Sequence, residues 1–94
     1  MRAILLLKER HVIGEDRFVD IAIWRLPKPA GGSLHDFKYR LAFVVNRACV
    51  LRFDNEDGKG DHKHRGRRQV SYRFTTLDQL IADFWQEVEE WRSK

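Results

Sequence analysis

From Asp54 to His64 the chain reads Asp-Asn-Glu-Asp-Gly-Lys-Gly-Asp-His-Lys-His, eleven residues without one apolar side chain. A hydrophobic core has no use for such a run, and its residue types are those of acid/base and phosphate chemistry. Carboxylates flank a Gly-Lys-Gly turn, a His-x-His pair follows, and Arg65, Arg67 and Arg68 come next. On extended backbone, residues two apart share a face with origins about 6.6 Å apart, close to the span of a phosphodiester. Cleaving RNA there without a metal needs a base for the 2′-hydroxyl, an acid for the leaving 5′-oxygen and a cation for the charge growing on phosphorus. His62, His64 and Lys59 are of the right types. An imidazole with a pKa of about 6.5 can accept in one copy and donate in the next near neutral pH. Asp61 or Asp54 would orient a ring. Gly58 and Gly60 permit the backbone angles that bring amide N–H groups onto a phosphate. Arg65, Arg67 and Arg68 would touch neighbouring phosphates, as would Arg40.

Two competing readings use the same residues. His-x-His with Asp61 or Asp54 offers imidazole and carboxylate ligands for zinc or manganese. A solvated basic hairpin with inert histidines and sterically required glycines is the plain alternative. The metal-free, cofactor-free reading is favoured.

The remaining chain must position this stretch. Ninety-four residues make one domain, 1–94, with 43% hydrophobic and 34% charged content, as in a folded protein. Cys49 is alone, which fits a reducing cytoplasm, and burial is expected because it sits in an apolar run. The apolar run at residues 3–7 is too short for a signal peptide or membrane span. Net charge is +4 but polarised: residues 77–94 carry five acids and two bases, leaving sixteen bases and nine acids before them. A basic body suits a polyanion and an acidic tail repels one.

Ala3–Leu7 and Phe18–Leu26 read as a hairpin across Gly14-Glu15-Asp16, with Trp24 assigned to the core in preference to a base-stacking role. Pro27–Ser33 breaks regular structure, and His35 beyond it is a third imidazole that could approach the site. Tyr39, Leu41, Phe43 and Val45 alternate with Lys38, Arg40, Ala42 and Val44, the period of a strand. An Asn46-Arg47 turn returns the chain along 48–53, setting Val45 opposite Ala48 and Tyr39 opposite Asp54. Asp54 thus ends a strand, with Arg40 and Arg52 within reach of the same end. A short fifth strand spans residues 70–74. Thr76-Leu77-Asp78-Gln79 matches a capping box, and Leu77, Leu80, Ile81, Phe84, Trp85, Val88 and Trp91 form the stripe of an amphipathic helix. The expected fold is α+β: a single antiparallel sheet of about five strands with one C-terminal helix on one face. Two tryptophans on the helix raise the further expectation of a partner, or of a homo-oligomer formed through it.

Phe37-Lys38-Tyr39-Arg40-Leu41, the string Phe53-Asp54-Asn55-Glu56 with Gly58-Lys59-Gly60-Asp61-His62-Lys63-His64, Tyr72-Arg73-Phe74 and Leu80-Ile81-Ala82-Asp83-Phe84-Trp85 together resemble the TumE family. These are small bacterial proteins, the toxin side of toxin-antitoxin pairs, and the resemblance spans nearly the whole chain. It implies a DNA-binding antitoxin as partner. Many small basic toxins attack RNA, which agrees with an endoribonuclease acting in the cytoplasm without membrane contact. The alternative is a non-catalytic RNA- or antitoxin-binding protein.

Overall fold

The structure, a computed structural model, describes residues 2–29, 31–56 and 60–93. Six strands, β1 (Ile4–Gly14), β2 (Arg17–Arg25), β3 (Phe37–Val45), β4 (Ala48–Asp54), β5 (His62–Arg65) and β6 (Arg68–Ser71), precede one helix, α1 (Leu77–Arg92). The strands form a single antiparallel sheet in sequence order. This is the expected α+β arrangement with one more strand. No described helix is long and apolar enough to cross a membrane.

Strand alternation divides the sheet into two faces. Val19, Ile21 and Ile23 of β2, Tyr39, Leu41 and Phe43 of β3, and Leu51 and Phe53 of β4 all point to one side. There they meet Leu80, Phe84 and Val88 of α1, and the whole set is buried. Full burial of each such side chain stabilises the fold by about 1.5–3 kcal/mol, and this fixes the helix on that face. Thr76 caps α1 by accepting from the Gln79 amide, as a capping box requires, but the Gln79 side chain donates to Asp83 one turn on and does not reach back. Trp91 packs edge-on against Phe43, and Trp85 against His11.

The other face carries no helix. Trp24 stands on it, half-buried, with the Lys38 ammonium 5.6 Å from its ring, and so is not part of the core. Period two decides this, because Ile21 and Ile23 take the inward positions. Cys49 is exposed and not buried, since pairing with Val44 turns it to the face opposite α1.

Two further departures move functional residues. Asn46 and Arg47 do form the turn, at φ 49° and 70°. A bulge at Val50, however, pairs Phe43 with Leu51, so Arg40 and not Tyr39 lies opposite Asp54. The fifth strand expected at 70–74 is replaced by the β5–β6 hairpin, which ends at Ser71. Tyr72 and Phe74 pack inward from irregular backbone, against Phe53 and His35. β5 lacks apolar residues because its helix-side positions, Lys63 and Arg65, are matched by Glu87.

Candidate functional site

β4 ends at Asp54 and β5 begins at His62, adjacent antiparallel strands in which Arg52 pairs with His64 and Asp54 with His62. Cross-strand partners share a face, so all four side chains project from the side opposite α1. Arg40 projects there too, one strand further along.

The contacts within this group fix where protons sit. His62, 5% exposed, points Nδ1 at the Gly60 carbonyl oxygen at 2.9 Å and Nε2 at Asp54 Oδ1 at 2.7 Å. The carbonyl oxygen only accepts, so Nδ1 carries a proton, while Nε2 faces the Asp54 carboxylate at ion-pair distance. His64 is the opposite case. Arg52 Nη2 lies 3.0 Å from its Nε2, and a guanidinium only donates, so that nitrogen presents its lone pair. The ring centroids are 4.9 Å apart at 76°. Arg52 Nε lies 2.6 Å from Asp54 Oδ2, an ion pair whose N–H is poorly aligned and finds no hydrogen-bond acceptor among the described residues. The carboxylate thus sits between a guanidinium and an imidazole.

Donor atoms of Asp54, His62 and His64 all lie within 4.8 Å of one another. Tetrahedral zinc with bonds of about 2.0–2.2 Å brings its ligands to about 3.4 Å apart. Ring rotation could achieve that, but Arg52 occupies two of the three donors and would first have to leave.

A second polar cluster holds the connecting loop. Asp61 Oδ1 accepts from the Tyr39 hydroxyl at 2.8 Å and lies 2.7 Å from His35 Nε2. His35 Nδ1 accepts from the Phe37 amide, so Nε2 carries the ring's proton, and the ring stacks on Phe74 with centroids 3.8 Å apart. Burial, then the hydrogen bond to Asp61, raises the Tyr39 pKa far above the ordinary tyrosine value. Asn55 is fully buried. It accepts from the Tyr39 amide and donates to the Phe37 carbonyl and the Ser33 hydroxyl, tying the end of β4 to the start of β3. Gly60 adopts φ 76°, and a Cβ there would lie 2.8 Å from the Gly32 carbonyl oxygen. The two glycine loops therefore touch through backbone, and this contact sets the carbonyl that receives His62 Nδ1.

Of the residues singled out in the sequence, His62, His64, Asp54 and Arg40 share the open face. Asp61 lies in the neighbouring cluster. Gly58 and Lys59 are outside the described residues. Arg65 faces the helix, ion-paired with Glu87, because it is one residue from His64 on a strand. Arg68 is its cross-strand partner and Arg67 sits exposed in the turn, so these three do not converge on the histidines. Tyr39, Asn55 and Gly32 carried no signal of their own as supports. Only the meeting of the two loops gives them a role.

Comparison with curated proteins and with solved structures finds no match. A family model described as Toxin TumE matches residues 2–92. With nearly every residue covered, including both polar clusters and the helix, the chain belongs to the TumE toxin family.

Proposed function

We propose that this toxin of a toxin-antitoxin pair is a cytoplasmic endoribonuclease that cleaves RNA by metal-independent acid/base chemistry. The observation that carries the proposal is the unequal polar surroundings of two adjacent imidazoles. His62 faces two acceptors, whereas His64 turns a lone pair toward a donor, with 4.9 Å between the rings. His64 takes the proton of the 2′-hydroxyl, and the 2′-oxygen attacks phosphorus. The P–O5′ bond breaks to leave a 2′,3′-cyclic phosphate, and His62 protonates the departing 5′-oxygen. Asp54 orients His62 and compensates its charge. A bound phosphodiester draws Arg52 from Asp54 and His64, which places the guanidinium on the non-bridging oxygens and opens the His64 lone pair to the 2′-hydroxyl. Lys59 adds positive charge, and Gly58 and Gly60 the close backbone approach. Asp61 acts at one remove by holding the loop. Arg40 contacts the next phosphate, with Arg67 and Arg68 contributing longer-range attraction.

Membership of a toxin family implies an antitoxin. We assign it a DNA-binding protein that approaches the acidic outer side of α1.

The test is incubation of the purified protein with total RNA, with and without EDTA, alongside His62→Ala and His64→Ala. Cleavage that survives chelator and falls at least a hundredfold in each variant is the expected result. Loss of cleavage in EDTA, restored by zinc or manganese, would transfer Asp54, His62 and His64 to a metal. Steeply salt-dependent binding without cleavage would make the protein a sequestering one.

A further inference from the structure

The face opposite α1 extends well beyond the histidine pair. Between β1, β2 and β3 it sinks into a groove of about 510 Å³ whose lining includes Lys8, Arg10, Ala22, Trp24 and Arg40. In register, Lys8, Ala22, Arg40, Asp54 and His62 form one row across five strands. The groove and the candidate active site are therefore two parts of one surface, joined through Arg40. With strands about 4.8 Å apart, Ala22 lies about 14 Å from His62, a distance bridged by a few nucleotides of extended strand.

We propose that this groove is a nucleobase-binding subsite for single-stranded RNA, with the Trp24 indole as the stacking platform. The inference rests on the endoribonuclease reading and names the form of its substrate. Three features of the groove carry it. Ala22 makes a small floor between Lys8 and Arg40, so a planar ring can approach the sheet. Trp24 is the one large aromatic among the groove's lining, half-buried and outside the core cluster. Lys8, Arg10, Lys38, Arg40 and Arg52 project from this face, against Asp20 and Asp54 as its strand carboxylates. That excess complements a phosphate backbone.

The groove is base-tolerant. Asp20 is held at both oxygens by Arg10, and Glu9 lies 3.0 Å from His11, so neither carboxylate is poised to read a base edge. What remains is stacking, which every base can supply. A duplex, whose bases are already stacked, gains nothing from Trp24.

The experiment measures binding of end-labelled 2′-O-methyl oligonucleotides, which cannot undergo 2′-hydroxyl attack, to the wild-type protein, Trp24→Ala, Trp24→Phe and Ala22→Leu. Single-stranded hexamers should bind Trp24→Ala about tenfold to a hundredfold more weakly than wild type. Trp24→Phe should retain most of the affinity. Ala22→Leu fills the floor without removing any polar group, and should reproduce the loss. Circular dichroism confirms that each variant is folded. A dinucleotide too short to span groove and histidines should show no dependence on Trp24. Hexamer affinity unchanged from wild type in both Trp24→Ala and Ala22→Leu, while total RNA is still cleaved, overturns the groove and leaves the nuclease standing. Trp24-dependent binding without cleavage of natural RNA overturns the nuclease and leaves the groove. A duplex bound as tightly as the single strand overturns the groove.

Discussion

Gly60→Ala and Gly66→Ala make the same chemical change at two left-handed backbone positions, φ 76° and 59°. Each forces an L-residue into a conformation that costs about 1–2 kcal/mol. The surroundings differ. At Gly66 the added methyl meets nothing within 4 Å, whereas at Gly60 it lies 2.8 Å from the Gly32 carbonyl oxygen, a backbone atom that cannot rotate away. Overpacking of this kind costs about a further 1–3 kcal/mol. Gly66→Ala should therefore lose about 1–2 kcal/mol, and Gly60→Ala about 2–5 kcal/mol, measured by urea unfolding with unchanged slope. The difference isolates the contact between the two glycine loops. Activity should separate the pair further. The Gly60 carbonyl oxygen lies 2.9 Å from His62 Nδ1, so moving it tilts the imidazole and should lower RNA cleavage at least tenfold. Gly66 lies in the β5–β6 turn, and its substitution should leave cleavage within about twofold once folding is matched, in keeping with the small effect of changes far from the chemistry. Equal stability losses at the two sites would refute the loop-to-loop contact. Full activity in Gly60→Ala would refute the role of its carbonyl in setting His62.

Asn55→Ala removes the partner of a buried amide and a buried carbonyl, each costing about 1–3 kcal/mol when stranded, and should destabilise by about 2–5 kcal/mol in thermal or urea melts. Asn55→Asp restores only the acceptor and should recover part of that loss. Both tyrosines of the chain, Tyr39 and Tyr72, are held neutral by burial and by hydrogen bonds to Asp61 and Asp83, so their pKa values are raised. In the unfolded chain they ionise near pH 10 and in the native state higher. Their contribution to stability is present below about pH 10 and declines as pH rises above it, because only the unfolded state then gives up the proton. Native protein should show little phenolate absorbance at pH 10, and a model tyrosine-like rise there would contradict the buried hydroxyls.

The helix and much of the sheet were legible in the sequence because their signals are local. The stripe from Leu77 to Trp91 repeats at the helical period, Thr76 has the capping side chain, and residues 38–45 alternate as a half-buried strand must. The chemistry-bearing run also stood out, since Asp54 to His64 contains nothing a core could use. Local period likewise implied that His62 and His64 would share a face if extended. Tertiary structure decided which face that was, and what else stood on it. A one-residue bulge at Val50 set Arg40 across from Asp54, a choice of packing that no residue type announces. β5 escaped notice because its inward positions are charged and are matched by Glu87, sixteen residues beyond the end of β6. Trp24 looked like core by composition, yet alternation with Ile21 and Ile23 turned it outward. His35, Tyr39, Asn55 and Gly32 acquire their roles only where two loops distant in sequence meet. Propensity and periodicity act over a few residues, whereas a site assembled from three strands depends on register, and register is fixed by how the whole sheet closes on its helix.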